Sequence, residues 1–254
     1  EGRKDFAAHV EWRPKISEVE AGKRMIDYLE STGCRGMIVH TGAPETVWYA
    51  AEARIRGVEA YIETCTQYLY LTEDDVKRNG PWNKFAPPPR GKSDLAEIRR
   101  MLQDGRIQTV ATDHAPYGID RKEAGLEDIF EAPNGMPGLE TFLPLLLNGV
   151  NEGWLSLPRL AAIAAETPAR LYGILPRKGI LQPGADADMV FVDMDREVRI
   201  TNDDQITACG WTPYDGLKVK GWMTRSIIRG EVVMEDDQVL SMEGSGQFVS
   251  RLDA

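Results

Sequence analysis

Two side chains in this sequence stand where an α/β protein puts its chemistry. Asp113 closes the short pleat-friendly run 106–111, and Pro116 forbids the run's continuation. An aspartate at the mouth of a buried parallel strand is placed for ligation or proton transfer, although the same residue also caps turns. His40 follows the apolar stretch Gly36-Met37-Ile38-Val39 in the same manner. Imidazole and carboxylate are the ligands of Zn²⁺ and similar ions in hydrolytic sites. An ion so held lowers the pKa of bound water to about 7, and a nearby carboxylate can then carry the proton. A histidine alone is as readily a hydrogen-bonded rim residue, and two ligands do not hold an ion by themselves. His114 is expected to make a supporting or helix-start contact, and His9, in no strand, to be an exposed loop histidine.

The elements around these residues alternate. Residues 1–15 read as a polar loop ending at Arg13-Pro14. A helix starts at Ser17, with Val19, Met25, Ile26 and Leu29 on its apolar side, and stops at Ser31-Thr32-Gly33. The strand 36–39, a helix over 43–56, a strand over 58–63, a helix over 95–104 and the Asp113 strand complete a strand–helix pattern. Such alternation is the mark of a parallel sheet with helical crossovers. Two loops interrupt it, 79–92 with Asn79-Gly80-Pro81 and Pro87-Pro88-Pro89, and the long 115–137, whose length suggests a functional loop. A nearly apolar helix over 139–148 and another over 158–172 follow. From Gly179 the texture becomes strands and turns, with strands at 186–192 and 225–233, so a boundary is expected near residue 178.

The 254 residues can bury one large core, or one core and a small satellite. A net charge of −10 argues against nucleic acid or an anionic membrane surface as the main partner. No run of about 18 apolar residues is present, so no membrane span is expected. Three widely spaced cysteines, Cys34, Cys65 and Cys209, fit a reducing, cytoplasmic compartment better than a disulfide scaffold.

Eight segments, in order and spanning nearly the whole chain, resemble the C-terminal half of the cyclic amidohydrolases, the group that holds hydantoinases, dihydropyrimidinases, allantoinases and dihydroorotases. They are Arg13-Pro14 with Glu18-Val19-Glu20-Ala21, Val39-His40-Thr41-Gly42, Glu63-Thr64-Cys65-Thr66-Gln67-Tyr68 and Lys84-Phe85-Ala86-Pro87-Pro88. The others are Thr112-Asp113-His114-Ala115-Pro116, Asn134-Gly135-Met136-Pro137-Gly138-Leu139-Glu140, Gly184-Ala185-Asp186-Ala187-Asp188 and Gly210-Trp211-Thr212-Pro213-Tyr214. The resemblance implies an α/β fold: the C-terminal part of a (β/α)8 TIM-type barrel over 1–178, with strands six to eight, and a small β-rich module over 179–254. It implies His40 as the sixth-strand metal ligand and Asp113 as the eighth-strand ligand and catalytic base. It implies binding of a small cyclic amide at Ala86, Asn134 and Gly135 through backbone groups. The reaction so implied is attack of metal-activated hydroxide on a ring amide carbonyl.

The same resemblance implies a divalent metal cofactor, two Zn²⁺ ions with Mn²⁺, Fe²⁺ or Co²⁺ as substitutes, and assembly as a homo-oligomer. The family's first-strand His-x-His pair, fourth-strand carboxylated lysine and fifth-strand histidine have no counterpart in this sequence. Most metal ligands are therefore expected in an N-terminal half outside it, and this stretch alone is expected to be inactive. Tyr117, four residues after Asp113, and Gln67-Tyr68 depart from the dihydroorotase pattern and point to hydantoin or dihydropyrimidine rings. Allantoinase or dihydroorotase activity, another amidohydrolase chemistry such as deamination, and a non-catalytic scaffold related to dihydropyrimidinase are the alternatives.

Overall fold

The computed structural model describes residues 2–251. Packing divides them into two compact units, one formed by residues up to 142 with 200–217, the other by 143–199 with residues from 218 on.

The first unit is built on a parallel three-stranded sheet, β1 (Gly36–Ile38), β2 (Ala60–Cys65) and β3 (Thr109–Ala111), in that spatial order. Gly36 pairs with Ala60 and Ile38 with Ile62, while Glu63 pairs with Thr109 and Cys65 with Ala111. All three strands therefore end at the same rim. The crossovers are α3 (Pro44–Ile55) between β1 and β2, and α6 (Lys92–Gln103) between β2 and β3. Ahead of β1 run α1 (Phe6–Trp12) and α2 (Lys15–Thr32), the latter stopped by Gly33 at φ 68° with its N–H on the Leu29 carbonyl. Between α3 and α6 lie α4 (Thr66–Tyr70) and α5 (Glu73–Asn79). Ile26, Leu29, Val47, Ala53, Ile62, Leu69, Ile98, Met101, Leu102, Ile107 and Val110 form the core. The helix before β1 and the two crossovers thus bury their apolar faces as the period of the sequence demands.

Two expectations here need correction. Residues 1–15 are not a loop: α1 occupies 6–12, and His9 on it is 1% exposed, so it is neither a loop nor a surface histidine. A seven-residue helix is too short to show a clear period, and its histidine is buried by a contact 76 residues away. The long loop after β3 also holds one short helix, α7 (Ile119–Glu123).

The second unit carries an antiparallel sheet in the order β4 (Met189–Arg199), β5 (Lys218–Ile228), β6 (Glu231–Glu235), β7 (Gln238–Val239). The stretch 225–233, expected as one strand, is a hairpin. Arg229 and Gly230 have φ of 51° and 82°, the paired positive values of a tight two-residue turn, and Asp236-Asp237 repeats the device before β7. Helix α8 (Phe142–Asn151) begins three residues later than the apolar run suggests, leaving Leu139 61% exposed. Within this unit α8 is tied to the sheet by asparagines: Lys220 N–H donates to Asn148 Oδ1 at 3.0 Å, and Asn151 Nδ2 donates to the Lys220 and Met194 carbonyls. Gly221, at φ 103°, lies against Leu147, where a Cβ would come within 2.8 Å of the leucine's. These bonds hold α8 to the sheet of the same unit. The Asp186-Ala187-Asp188 segment is structural: Lys178 Nζ donates to Asp186 at 2.9 Å and Asp188 at 2.5 Å, and Asp188 accepts the Arg229 N–H.

Candidate active site

The turn after β1 is held from below. Glu18, on α2, accepts the N–H groups of Gly42 and Ala43 on Oε1, both at 2.8 Å. Its Oε2 accepts Arg90 Nη2 at 2.6 Å and Nε at 3.1 Å, and Arg90 Nη1 reaches the Arg13 carbonyl. The two side chains are 6% and 10% exposed, so water weakens this arrangement little. Gly42 is required by contact: a Cβ there would come within 2.5 Å of the buried Tyr68 ring. Thr41 N–H pairs with the Glu63 carbonyl, and Thr64 Oγ1 donates to the Thr41 carbonyl. Between these fastenings His40 sits at φ 41°, a conformation that side chains with a Cβ rarely adopt. Its ring is half-buried, and its Nδ1 is buried with no hydrogen-bond partner among the described residues.

The end of β3 repeats the pattern. Asp113 is at φ 47° and exposed. Next to it, His114 Nδ1 accepts the N–H groups of Gly138 at 3.1 Å and Leu139 at 3.3 Å, so that nitrogen carries no proton. His114 thus fastens the following loop. Strain in two non-glycine residues at matching strand ends persists only where the surroundings impose it, and it gathers at functional sites.

Glu63, on the central strand, lies between the two. Burial pushes its carboxyl above the usual range. The His40 ring and its backbone N–H, which donates to the carboxyl, oppose that rise, and Asp113 adds to it. Glu63 was assigned no part from the sequence; its signal was a carboxylate near the end of the strand that lies between those leading to His40 and Asp113. The fit to a metal is partial. His40 and Asp113 carry nitrogen and oxygen donors of the kind that hold a hydrolytic ion, and His40 Nδ1 has no partner among the described residues. Yet among the described residues no group of three or more His, Cys, Asp or Glu side chains is arranged to hold an ion.

The two loops expected at the substrate meet here. Gly135 N–H donates to the Lys84 carbonyl at 3.0 Å, bringing 133–135 against 84–86. Gly135 itself is buried at φ 137°, with Ala115 where a Cβ would go. Around Ala86 the neighbouring carbonyls are engaged: Phe85 by His9 Nε2 at 2.9 Å, Pro87 by Tyr68 Oη at 2.8 Å, Lys84 by Gly135 and by Lys122 Nζ. Ala86 and Asn134 make no hydrogen bond among the described residues. Their backbone groups are available for a planar amide, which has one donor and one acceptor edge.

A parallel strand–helix sheet with metal-capable residues at one rim is the architecture of a (β/α)8 barrel, of which this chain carries the C-terminal part. The chain belongs to the Amidohydrolase family, whose model matches residues 35–233, and the family is generally metal-dependent. It is similar to the L-hydantoinase of Paenarthrobacter aurescens, 39% identical over 251 residues, covering 98% of this chain and 55% of the relative. It is also similar to the dihydroorotase of Halobacterium salinarum, 37% identical over 242 residues, covering 95% and 55%. The solved L-hydantoinase (dihydropyrimidinase) from Arthrobacter aurescens superposes with a TM-score of 0.96 at 39% identity over 98% of this chain and 56% of that one. The chain spans about half the length of the curated relatives it matches.

Proposed function

We propose that the whole protein hydrolyses the ring amide of a hydantoin- or dihydropyrimidine-type substrate. The observation that supports this most is the pair His40 and Asp113, both left-handed at the ends of β1 and β3 on one rim. In this reading Asp113 takes a proton from the attacking water, whose oxygen bonds to the ring carbonyl carbon. The carbon–nitrogen bond then breaks, and Asp113 returns the proton to the leaving nitrogen, giving an open-chain acid. His40 and Asp113 are this chain's share of the ligands for two divalent ions, Zn²⁺ or a substitute, with the remaining ligands elsewhere in the whole protein. Such ions, when bound, polarise the carbonyl and acidify the water. Ala86 and Asn134 orient the ring through backbone N–H and C=O groups, with Gly135 providing the turn that presents Asn134. Dihydroorotase- or allantoinase-like substrate choice is the second reading, supported by the similarity to a dihydroorotase and to the allantoinase of Bacillus licheniformis.

We further assign the whole protein to the cytoplasm, on the three unpaired cysteines of this chain, and to a homo-oligomer, on its resemblance to the cyclic amidohydrolases. Among the described residues no helix is long and apolar enough to cross a membrane. The test is hydrolysis of hydantoin, dihydrouracil, allantoin and dihydroorotate by the whole protein. Asp113→Asn and His40→Ala are each expected to lower kcat/KM on the preferred ring by roughly 10² to 10⁴. Activity within threefold of the wild type in either variant refutes the assignment.

A further inference from the structure

Two lysines in the first unit are buried without an acid. Lys122, on α7, is 0% exposed and Lys84 is 3% exposed, and neither forms an ion pair among the described residues. Burying an ammonium is costly, and an apolar side chain of similar length, such as methionine, would fill the same space without that cost. That cost is offset by what the nitrogens hold, buried backbone carbonyls that a methionine would leave without a donor.

Lys122 Nζ has three acceptors, the carbonyls of Gly135 at 2.8 Å, Pro133 at 3.2 Å and Lys84 at 3.3 Å, matching the three N–H bonds of an ammonium. These carbonyls come from both loops: Pro133 and Gly135 flank Asn134, and Lys84 precedes Ala86 by two residues. Lys84 Nζ continues the arrangement by donating to the Ile129 carbonyl at 2.7 Å and to that of Ala132. Aromatic rings lie beside both cations, Trp211 at 5.5 Å from Lys122 and Phe130 at 5.9 Å from Lys84, and these stabilise charge without supplying a competing acceptor. The pair draws together the backbone that flanks Asn134 and the backbone that leads into Ala86, the two residues whose own amides are unengaged.

We propose that Lys122 and Lys84 are positioning residues for substrate: they set the spacing between the Ala86 and Asn134 backbone edges that grip the cyclic amide. The inference rests on the reading given under Proposed function. It places the lysines' effect in binding, because they touch neither the reacting carbonyl nor the metal-capable residues.

The test uses the whole protein with hydantoin as the probe. Lys122→Met is expected to raise KM about tenfold with a smaller change in kcat, since a misplaced grip weakens ground state and transition state alike. Lys84→Met is expected to act in the same direction. A KM within threefold of the wild type in folded Lys122→Met overturns the proposal, whatever kcat does. If the variants do not fold, amide hydrogen exchange on the wild-type protein decides. The Gly135 amide is expected to be protected by about a thousandfold or more, while those of Ala86 and Asn134 exchange readily. A Gly135 amide that exchanges as fast as that of Asn134 overturns the proposal. Wild-type protein that turns over none of hydantoin, dihydrouracil, allantoin and dihydroorotate refutes the functional reading itself. Turnover with a KM indifferent to the lysines refutes the lysine proposal alone.

Discussion

Removing the Glu18 carboxylate separates the two duties of that side chain. One oxygen carries the Gly42 and Ala43 amides of the turn that follows His40, and the other carries Arg90. In Glu18→Ala the guanidinium, 6% exposed, is left without its anion, and two backbone N–H groups lose their acceptor. Breaking a buried pair from one side costs about 3–5 kcal/mol, and this pair is also hydrogen-bonded to the backbone, so the loss is expected in that range. Glu18→Gln retains an acceptor for the two amides but turns an NH₂ group toward Arg90, and is expected to lose about 2–3 kcal/mol, the value of the charged bond alone. Arg90→Met in the Glu18→Ala background is expected to recover part of the loss, because no uncompensated charge remains. Equilibrium urea unfolding measures all four proteins, and the m-value shows whether the unfolded state has changed as well. A loss below about 1 kcal/mol in Glu18→Ala would refute the claim that this ion pair holds the His40 turn.

Two further outcomes follow from the same packing. Gly42→Ala places a Cβ within 2.5 Å of the Tyr68 ring, and is expected to cost about 1–3 kcal/mol as a lowered Tm; no measurable change would show that the ring can move aside. His9 is held down to about 4 by burial, against the raising effect of the Phe85 carbonyl and with the neighbouring cations Lys84, Arg13 and Lys122 adding to the depression. As pH falls below 6.5 the unfolded chain takes up this proton first, so the stability present above pH 6.5 is lost as the pH falls toward 4. The loss should reach about 3 kcal/mol in the wild type relative to His9→Gln, which keeps a donor for Phe85 but does not titrate; parallel urea midpoints for the two proteins across that range would show the reasoning to be wrong.

The parallel sheet and the rim that carries His40 and Asp113 were legible in the sequence, because apolar period and turn residues are local quantities. The apolar runs before His40 and Asp113 and the helical periods over 17–32, 43–56 and 95–104 suffice to place those residues at strand ends. Where local signals mislead, the cause is specific. Helix 6–12 is too short to show its period, and the Arg229-Gly230 hairpin hides inside an apolar run.

What residue types and order indicated by themselves was a parallel strand–helix fold and two strand-end residues capable of metal chemistry, while the segments expected at a cyclic amide came from the resemblance to the cyclic amidohydrolases. What only the tertiary structure decided was how those residues are held: Glu18 reaching the His40 turn from a helix 24 residues earlier, Glu63 facing both strand ends, His9 pinning Phe85, and two buried lysines joining loops that lie 38 residues and more apart. The reason is physical. A strand or helix is written in the spacing of neighbouring side chains, whereas an ammonium or carboxylate finds its acceptors or donors wherever the folded backbone leaves them unpaired. No spacing in the chain records that meeting before the chain has folded.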